Sequence, residues 1–248
     1  MPAAGSVMIS AASPLIVMDR VSLRRGSRLV FTDLSVSFSE RRVGLLGDNG
    51  AGKSSFLRLI NGLLLPDAGE VRVDGLVTAQ ARRDLPRKVG FVFQNPDHQI
   101  VFPTVLEEIA FGFRERGLRR EDANTQAREA LRQFRCEDWI DAAVHELSEG
   151  QKQRLCILAI VAMEPDILVL DEPFSSLDLP TRLDLTDLLM SLPQRLIIAS
   201  HELKLLSLMD RVIWLSDGAI AGDGAAENII CNYRQMATST RKHTVATQ

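Results

Sequence analysis

The stretch Gly47-Asp48-Asn49-Gly50-Ala51-Gly52-Lys53-Ser54 constrains this chain more than any other. It fits GxxxxGK[ST] and lies directly between the apolar VGLL and the amphipathic SFLRLINGLL. Its glycines let the backbone bend until successive N–H groups point into one hollow. The start of the following helix adds positive potential, and the Lys53 ammonium neutralises phosphate charge. Gly47, Asp48, Asn49, Gly50, Ala51, Gly52, Lys53, Ser54 and the adjoining Ser55 are therefore candidate nucleotide-binding residues, with the Ser54 hydroxyl a candidate Mg²⁺ ligand.

A strand, a glycine loop and a helix in that order belong in an α/β fold, and the rest of the chain repeats the alternation. Apolar, β-branched runs at 16–23, 42–46, 70–73, 89–93, 167–170, 196–199 and 211–215 predict strands of a largely parallel sheet. Between Thr104 and about Met163 the apolar residues recur at spacings of three and four, so a helical subdomain, about 97–163, is expected as an insertion in the core. Thr104 is a suitable cap for its first helix, with Glu107 and Glu108 in the first turn. The termini, 1–14 and the Thr-rich 232–248, are expected to be flexible and to take no part in the mechanism, leaving 15–231 as the working domain.

Composition narrows the partners. With 29 Lys plus Arg against 32 Asp plus Glu, the net charge of −3 lacks the basic excess of a nucleic-acid binder, so no nucleic acid is expected. Cys136, Cys156 and Cys231 are too few and too scattered for a disulfide framework or a zinc site, which suits a reducing cytoplasm. No run approaches the roughly 18 apolar residues that span a bilayer. If the protein serves a membrane, a partner supplies the membrane part.

A second chemical feature follows the strand at 167–170, which ends in Asp171 and Glu172. The C-terminal edge of an open α/β sheet is where ligand chemistry gathers. Asp171 is placed to reach a Mg²⁺ shell and Glu172 to polarise an attacking water as general base. Three further elements accompany them: Leu147-Ser148-Glu149-Gly150-Gln151 opening an apolar helix, Phe174-Ser175-Ser176-Leu177-Asp178 after the two acids, and His201 ending IIASH. Together, and in this order, these motifs resemble the ATP-binding cassette family of ATPases over nearly the whole chain.

That resemblance implies a P-loop NTPase core of RecA-like type, with a mostly parallel sheet, an antiparallel β subdomain and an inserted helical subdomain. It assigns Ser148, Gly150 and Gln151 to a signature motif, Asp178 to the D-loop, His201 to the switch histidine and Gln94 to the Q-loop. On this footing the catalytic residues are Glu172, His201 and Gln94, the metal ligands Ser54, Gln94 and Asp171, and the cofactors ATP and Mg²⁺. The signature motif is too far along the chain to reach its own P-loop easily. A head-to-tail dimer is implied, as a homodimer or with a second ATPase of the same kind, and ATP would lie between the two subunits. Two departures stand out. Glu149 stands at a position of the usual Gly-Gly pair, which is expected to tune activity, and Arg25 stands where an adenine-stacking aromatic is usual, so Arg25 or Arg24 is expected to stack on the base.

The segment from Gln94 to Val105, QNPDHQIVFPTV, is similar to the ATPases of energy-coupling factor transporters, which import vitamins and transition-metal ions. It implies a transmembrane coupling protein and a substrate-binding membrane subunit as partners, a position on the cytoplasmic face of the membrane, and a partner groove near Asp97, Gln99 and Phe102. The shortness of the chain after Cys231 is similar to the ATPase of dedicated biotin transporters. The alternative is a soluble cassette ATPase acting as an assembly switch, in iron–sulfur assembly or on nucleic acid.

Overall fold

The computed structural model describes residues 15–175 and 177–245; the expected flexible segment 1–14 and Ser176 of the D-loop lie outside the described residues. The chain begins with an antiparallel hairpin, β1 (Ile16–Arg25) and β2 (Arg28–Phe38), then β3 (Arg42–Leu46) and α1 (Lys53–Ile60). β4 (Ala68–Val73), β5 (Leu76–Val77), the short α2 (Leu85–Lys88) and β6 (Val89–Val92) follow. Helices α3 (Val105–Glu115), α4 (Arg120–Gln133) and α5 (Glu149–Val161) form the insertion. β7 (Ile167–Asp171), α6 (Leu179–Ser191), β8 (Arg195–Ala199), α7 (Leu203–Leu206), β9 (Arg211–Ser216), β10 (Ala219–Gly224) and α8 (Ala226–Val245) complete it.

The described residues form two sheets: a four-stranded antiparallel sheet in the order β2-β1-β4-β5, and a six-stranded sheet in the order β10-β9-β3-β8-β7-β6. In the second, β9, β3, β8, β7 and β6 run parallel, and β10 returns antiparallel to β9. A parallel sheet is stable only with both faces covered, and its strands then read as unbroken apolar runs. Side chains alternate accordingly: Val43, Val169, Ile197 and Ile213 enter the core shared with α1 and the antiparallel sheet, whereas Leu168, Leu170, Leu196, Ile198 and Val212 enter the core shared with α5, α6 and α8. The inserted helices are tied to this second core through Ile109, Leu155 and Leu158.

All seven expected strands are present; β2, β5 and β10 were not anticipated. In β2 the alternation Leu34, Val36, Phe38 is interrupted at Asp33, whose φ of 52° throws the strand into a bulge. The expectation of a flexible 232–248 is corrected: α8 continues as helix to Val245, and residues 246–248 lie outside the description. Ala226, Ile229 and Ile230 are buried on one face of it, and Tyr233 follows at the next turn of the same stripe, so packing onto the sheet outweighs the polar composition.

Candidate functional site

Four parallel strands in a row, β3, β8, β7 and β6, end at one edge of the sheet, and each delivers a site residue there. The glycine loop follows β3, His201 follows β8, Asp171 and Glu172 close β7, and Gln94 follows β6. Adjacency in the sheet therefore gathers residues up to 154 positions apart without any long connection crossing the site. A cleft of about 800 Å³ at this edge is lined by Gly47, Asp48, Asn49, Gly50, Gly52, Lys53, Ser54, Ser55, Gln94, Glu172 and His201, whereas Asp171 lies buried behind Ser54 and does not line it.

The loop is held from several sides. Gly52, the residue before α1, adopts φ 104°, and a Cβ there would meet the Phe31 ring at 2.8 Å, so only glycine lets the loop press against β2. Ala51 N–H donates to the Asp48 carbonyl at 3.1 Å, and Arg28 Nη2 donates to the Gly50 carbonyl at 2.6 Å. Ala51 is buried beneath the cleft and contributes backbone to the loop.

The charged centre is compact. Lys53 Nζ donates to the Gly47 carbonyl at 2.7 Å and the Asp48 carbonyl at 3.3 Å, and lies 3.2 Å from Glu172 Oε1, with both side chains nearly buried. Oε1 is buried and receives no directional hydrogen bond, so Lys53 offsets its charge by proximity alone. The other oxygen, Oε2, meets His201 Nδ1 at 2.8 Å and accepts the His201 backbone N–H at 3.3 Å. Glu172 also holds a φ of 47°, unusual for a side-chain-bearing residue, and its N–H is fixed by the Ala199 carbonyl at 3.0 Å. The left-handed backbone and the contacts to Lys53 and His201 hold the Glu172 carboxylate in one orientation within the cleft.

Ser54 Oγ donates to Asp171 Oδ1 at 2.9 Å. Burial pushes the Asp171 carboxyl above its usual range, against the opposing pull of the Ser54 hydrogen bond and of Arg58. One carboxylate, one hydroxyl and the nearby Gln94 amide are hard oxygen donors of the kind Mg²⁺ takes, with phosphates and water completing an octahedron. The Gln94 amide Nε2 donates to Ser175 Oγ at 3.4 Å, so its carbonyl oxygen is left for other partners.

The remaining expected residues are elsewhere. Ser148, Gly150, Gln151 and Asp178 do not line the cleft. Ser148 caps α5 in a reciprocal box: its Oγ accepts Gln151 N–H at 3.3 Å, while Gln151 Oε1 accepts Ser148 N–H at 2.8 Å. A Cβ on Gly150 would meet Thr181 Cγ2 at 2.4 Å, so glycine is what lets the start of α5 approach α6. Asp178 caps α6 through Thr181 N–H at 3.4 Å. Glu149 Oε1 lies 3.3 Å from Lys152 Nζ, which also meets Asp97 Oδ1 at 3.0 Å, so its negative charge is shared locally. Gln99 turns inward: Oε1 accepts Phe93 N–H at 3.0 Å, and Nε2 donates to the Cys156 carbonyl at 3.1 Å. Its side chain therefore braces the segment, whereas Val101 is 76% exposed, next to the Phe102 ring, which meets that of Phe111 at a tilt with centroids 5.3 Å apart.

Arg25 lines the cleft, as expected, and Arg24 does not. Arg28, Arg58 and Tyr233 also line it and escaped the sequence reading; Ser175, within the motif that follows the two acids, lines it too. The Arg25-Gly26-Ser27-Arg28 turn signal locates Arg28, and the spacing 226, 229, 230, 233 would have placed Tyr233 on an apolar helix face.

Phosphate loop, acidic strand end and switch histidine in one cleft define a nucleotide-hydrolysing P-loop ATPase of the cassette type. The chain belongs to the ABC transporter family, whose model matches residues 31–175, and with it to the ATPases that couple ATP hydrolysis to transport. It is 44% identical over 218 residues to the biotin transport ATP-binding protein BioM of Rhodobacter capsulatus, covering 88% of this chain and 93% of that one. It is 39% identical over 186 residues to the energy-coupling factor transporter ATP-binding protein EcfA1 of Oceanobacillus iheyensis, covering 73% of this chain and 67% of that one. The fold superposes with a TM-score of 0.75 and 26% identity on the dimeric ATP-binding cassette MJ0796 bound to ADP and Pi, covering 85% of this chain and 98% of that one. Among the described residues, no helix is long and apolar enough to cross a membrane.

Proposed function

We propose that this chain is the ATP-hydrolysing subunit of an energy-coupling factor importer and that the cargo is biotin. The observation that carries the ATPase half is the meeting of Lys53, Ser54, Gln94, Glu172 and His201 at one sheet edge. The similarity to a biotin transport ATP-binding protein along 88% of the chain supports the cargo.

In this reading the loop N–H groups and Lys53 bind the triphosphate, whose oxygens compete with Glu172 for the ammonium. Ser54 and Asp171, with Gln94, would hold Mg²⁺, which would neutralise phosphate charge. Glu172 takes a proton from the attacking water, and His201, held through Nδ1, orients that water and the γ-phosphate. Ser148, Gly150, Gln151 and Asp178 face the nucleotide of a second subunit, which fits their position outside the chain's own cleft. Two such subunits sit at the inner membrane face and drive a transmembrane coupling protein and a substrate-binding membrane subunit, received on the surface of exposed Val101 and Phe111 and half-buried Phe102.

The test is a mild-detergent purification of this chain from its native membranes, followed by labelled-biotin uptake by the reconstituted complex. Co-purification of two multi-spanning proteins and ATP-dependent biotin accumulation are expected. Recovery of soluble partners alone, or uptake indifferent to ATP, would overturn the proposal.

A further inference from the structure

The structure assigns Tyr233 as a positioning residue for the phosphate loop, acting from the C-terminal helix through the side chain of Asp48. Its hydroxyl donates to Asp48 Oδ1 at 2.9 Å across 185 residues of sequence, and the tyrosine lines the same cleft as the loop.

Three contacts make this a clamp and not a chance surface bond. Tyr233 rides on α8, which is anchored by buried Ala226, Ile229 and Ile230. Its ring meets Trp214 edge-on, with centroids 5.4 Å apart and planes at 88°. Trp214 on β9 is the register partner of Leu46, the residue immediately before Gly47. The helix, the neighbouring strand and the first residues of the loop are thus fastened at one point.

The chemistry gives the clamp a purpose. Asp48 is exposed and carries a negative charge in a cleft meant for phosphate, where an unrestrained carboxylate would repel the ligand. The phenol fixes the carboxylate toward α8 and leaves the Asp48 carbonyl to hold Ala51 N–H and Lys53. Burial and the bond to Asp48 both hold the Tyr233 phenol above its usual pKa, so it remains a donor throughout the neutral range. Preorganising the loop in this way lowers the ordering that ATP must otherwise impose.

This inference rests on residues 47–54 being the phosphate cradle, and the experiment separates the two claims. ATP affinity is measured by calorimetry for the intact chain and for Tyr233→Phe, Asp48→Ala, the double variant and Lys53→Ala. Phenylalanine keeps the packing on Trp214 and removes only the donor. Loss of one solvent-exposed hydrogen bond predicts affinity weakened about two- to tenfold in Tyr233→Phe, with the steady-state effect falling on KM more than on kcat. In the Asp48→Ala background the same change is expected to do nothing further, since the tyrosine then has no partner to hold. Unchanged affinity in Tyr233→Phe, or an equal loss in both backgrounds, would overturn the clamp while Lys53→Ala still abolished binding. Full affinity in Lys53→Ala would instead overturn the cradle itself.

Discussion

Replacing Glu172 by glutamine removes one charge from the Lys53–Glu172 pair while keeping the volume and the acceptor oxygen that faces His201. The pair is 3.2 Å apart, with side chains 7% and 11% exposed, so its loss strands a buried ammonium. Breaking a buried pair costs about 3–5 kcal/mol. The low end applies here, because Lys53 keeps the Gly47 and Asp48 carbonyls as acceptors. A cost of about 3 kcal/mol lowers Tm by roughly 6–12 °C in a chain of this size. Phosphate oxygens then supply what the carboxylate no longer does, so ATP should raise the Tm of Glu172→Gln further than that of the parent. Without the proton acceptor, hydrolysis should slow by about 10²–10⁴-fold. Scanning fluorimetry with and without Mg-ATP, alongside single-turnover hydrolysis, reads all three quantities. A variant as stable as the parent without nucleotide, and hydrolysing within about tenfold of it, would refute both the pairing and the general-base role.

Other substitutions probe the rest of the account. Asp171 has a folded pKa above its ordinary value, so its contribution to stability is present below the unfolded pKa and lost as pH rises through the folded one; at neutral pH the ionised carboxylate is a burden. Asp171→Asn keeps an acceptor for Ser54 and should raise Tm in metal-free buffer while abolishing Mg²⁺-dependent hydrolysis, and a lower Tm would contradict the burial argument. Gly150→Ala forces a Cβ to within 2.4 Å of Thr181 Cγ2 and should cost about 1–3 kcal/mol in denaturant unfolding. Thr181→Ser removes that methyl and should restore the stability; failure of the rescue would show that the glycine is needed for something other than helix approach. Phe102→Ala strips a ring from the surface beside Val101 and should leave basal ATPase activity intact while uncoupling it from uptake, whereas parallel loss of both would place Phe102 in the nucleotide site.

Legibility in the sequence tracked burial. Strands β3, β7, β8 and β9 are covered on both faces, so their composition alone announces them, and the acids and histidine at their ends inherit that certainty of position. The alternation in β2 is broken by the bulge at Asp33, and β10 is only half-buried, so neither stands out as an apolar run. The resemblance places Gln99 near a partner groove, and nothing local in the sequence shows that its side chain satisfies Phe93 and Cys156. Tyr233 was the largest omission. Its segment is polar, its helix is held by tertiary packing, and its partner Asp48 lies 185 residues away, a relation that local periodicity does not carry.

The central claim is that nucleotide is bound between the phosphate loop of one subunit and Ser148, Gly150 and Gln151 of another. Molar mass by light scattering of Glu172→Gln, with and without Mg-ATP, tests it most directly. The account predicts a mass near 27.5 kDa without nucleotide and twice that with it, returning to monomer in Glu172→Gln carrying Ser148→Arg. A protein that stays at one chain's mass in saturating ATP would contradict it.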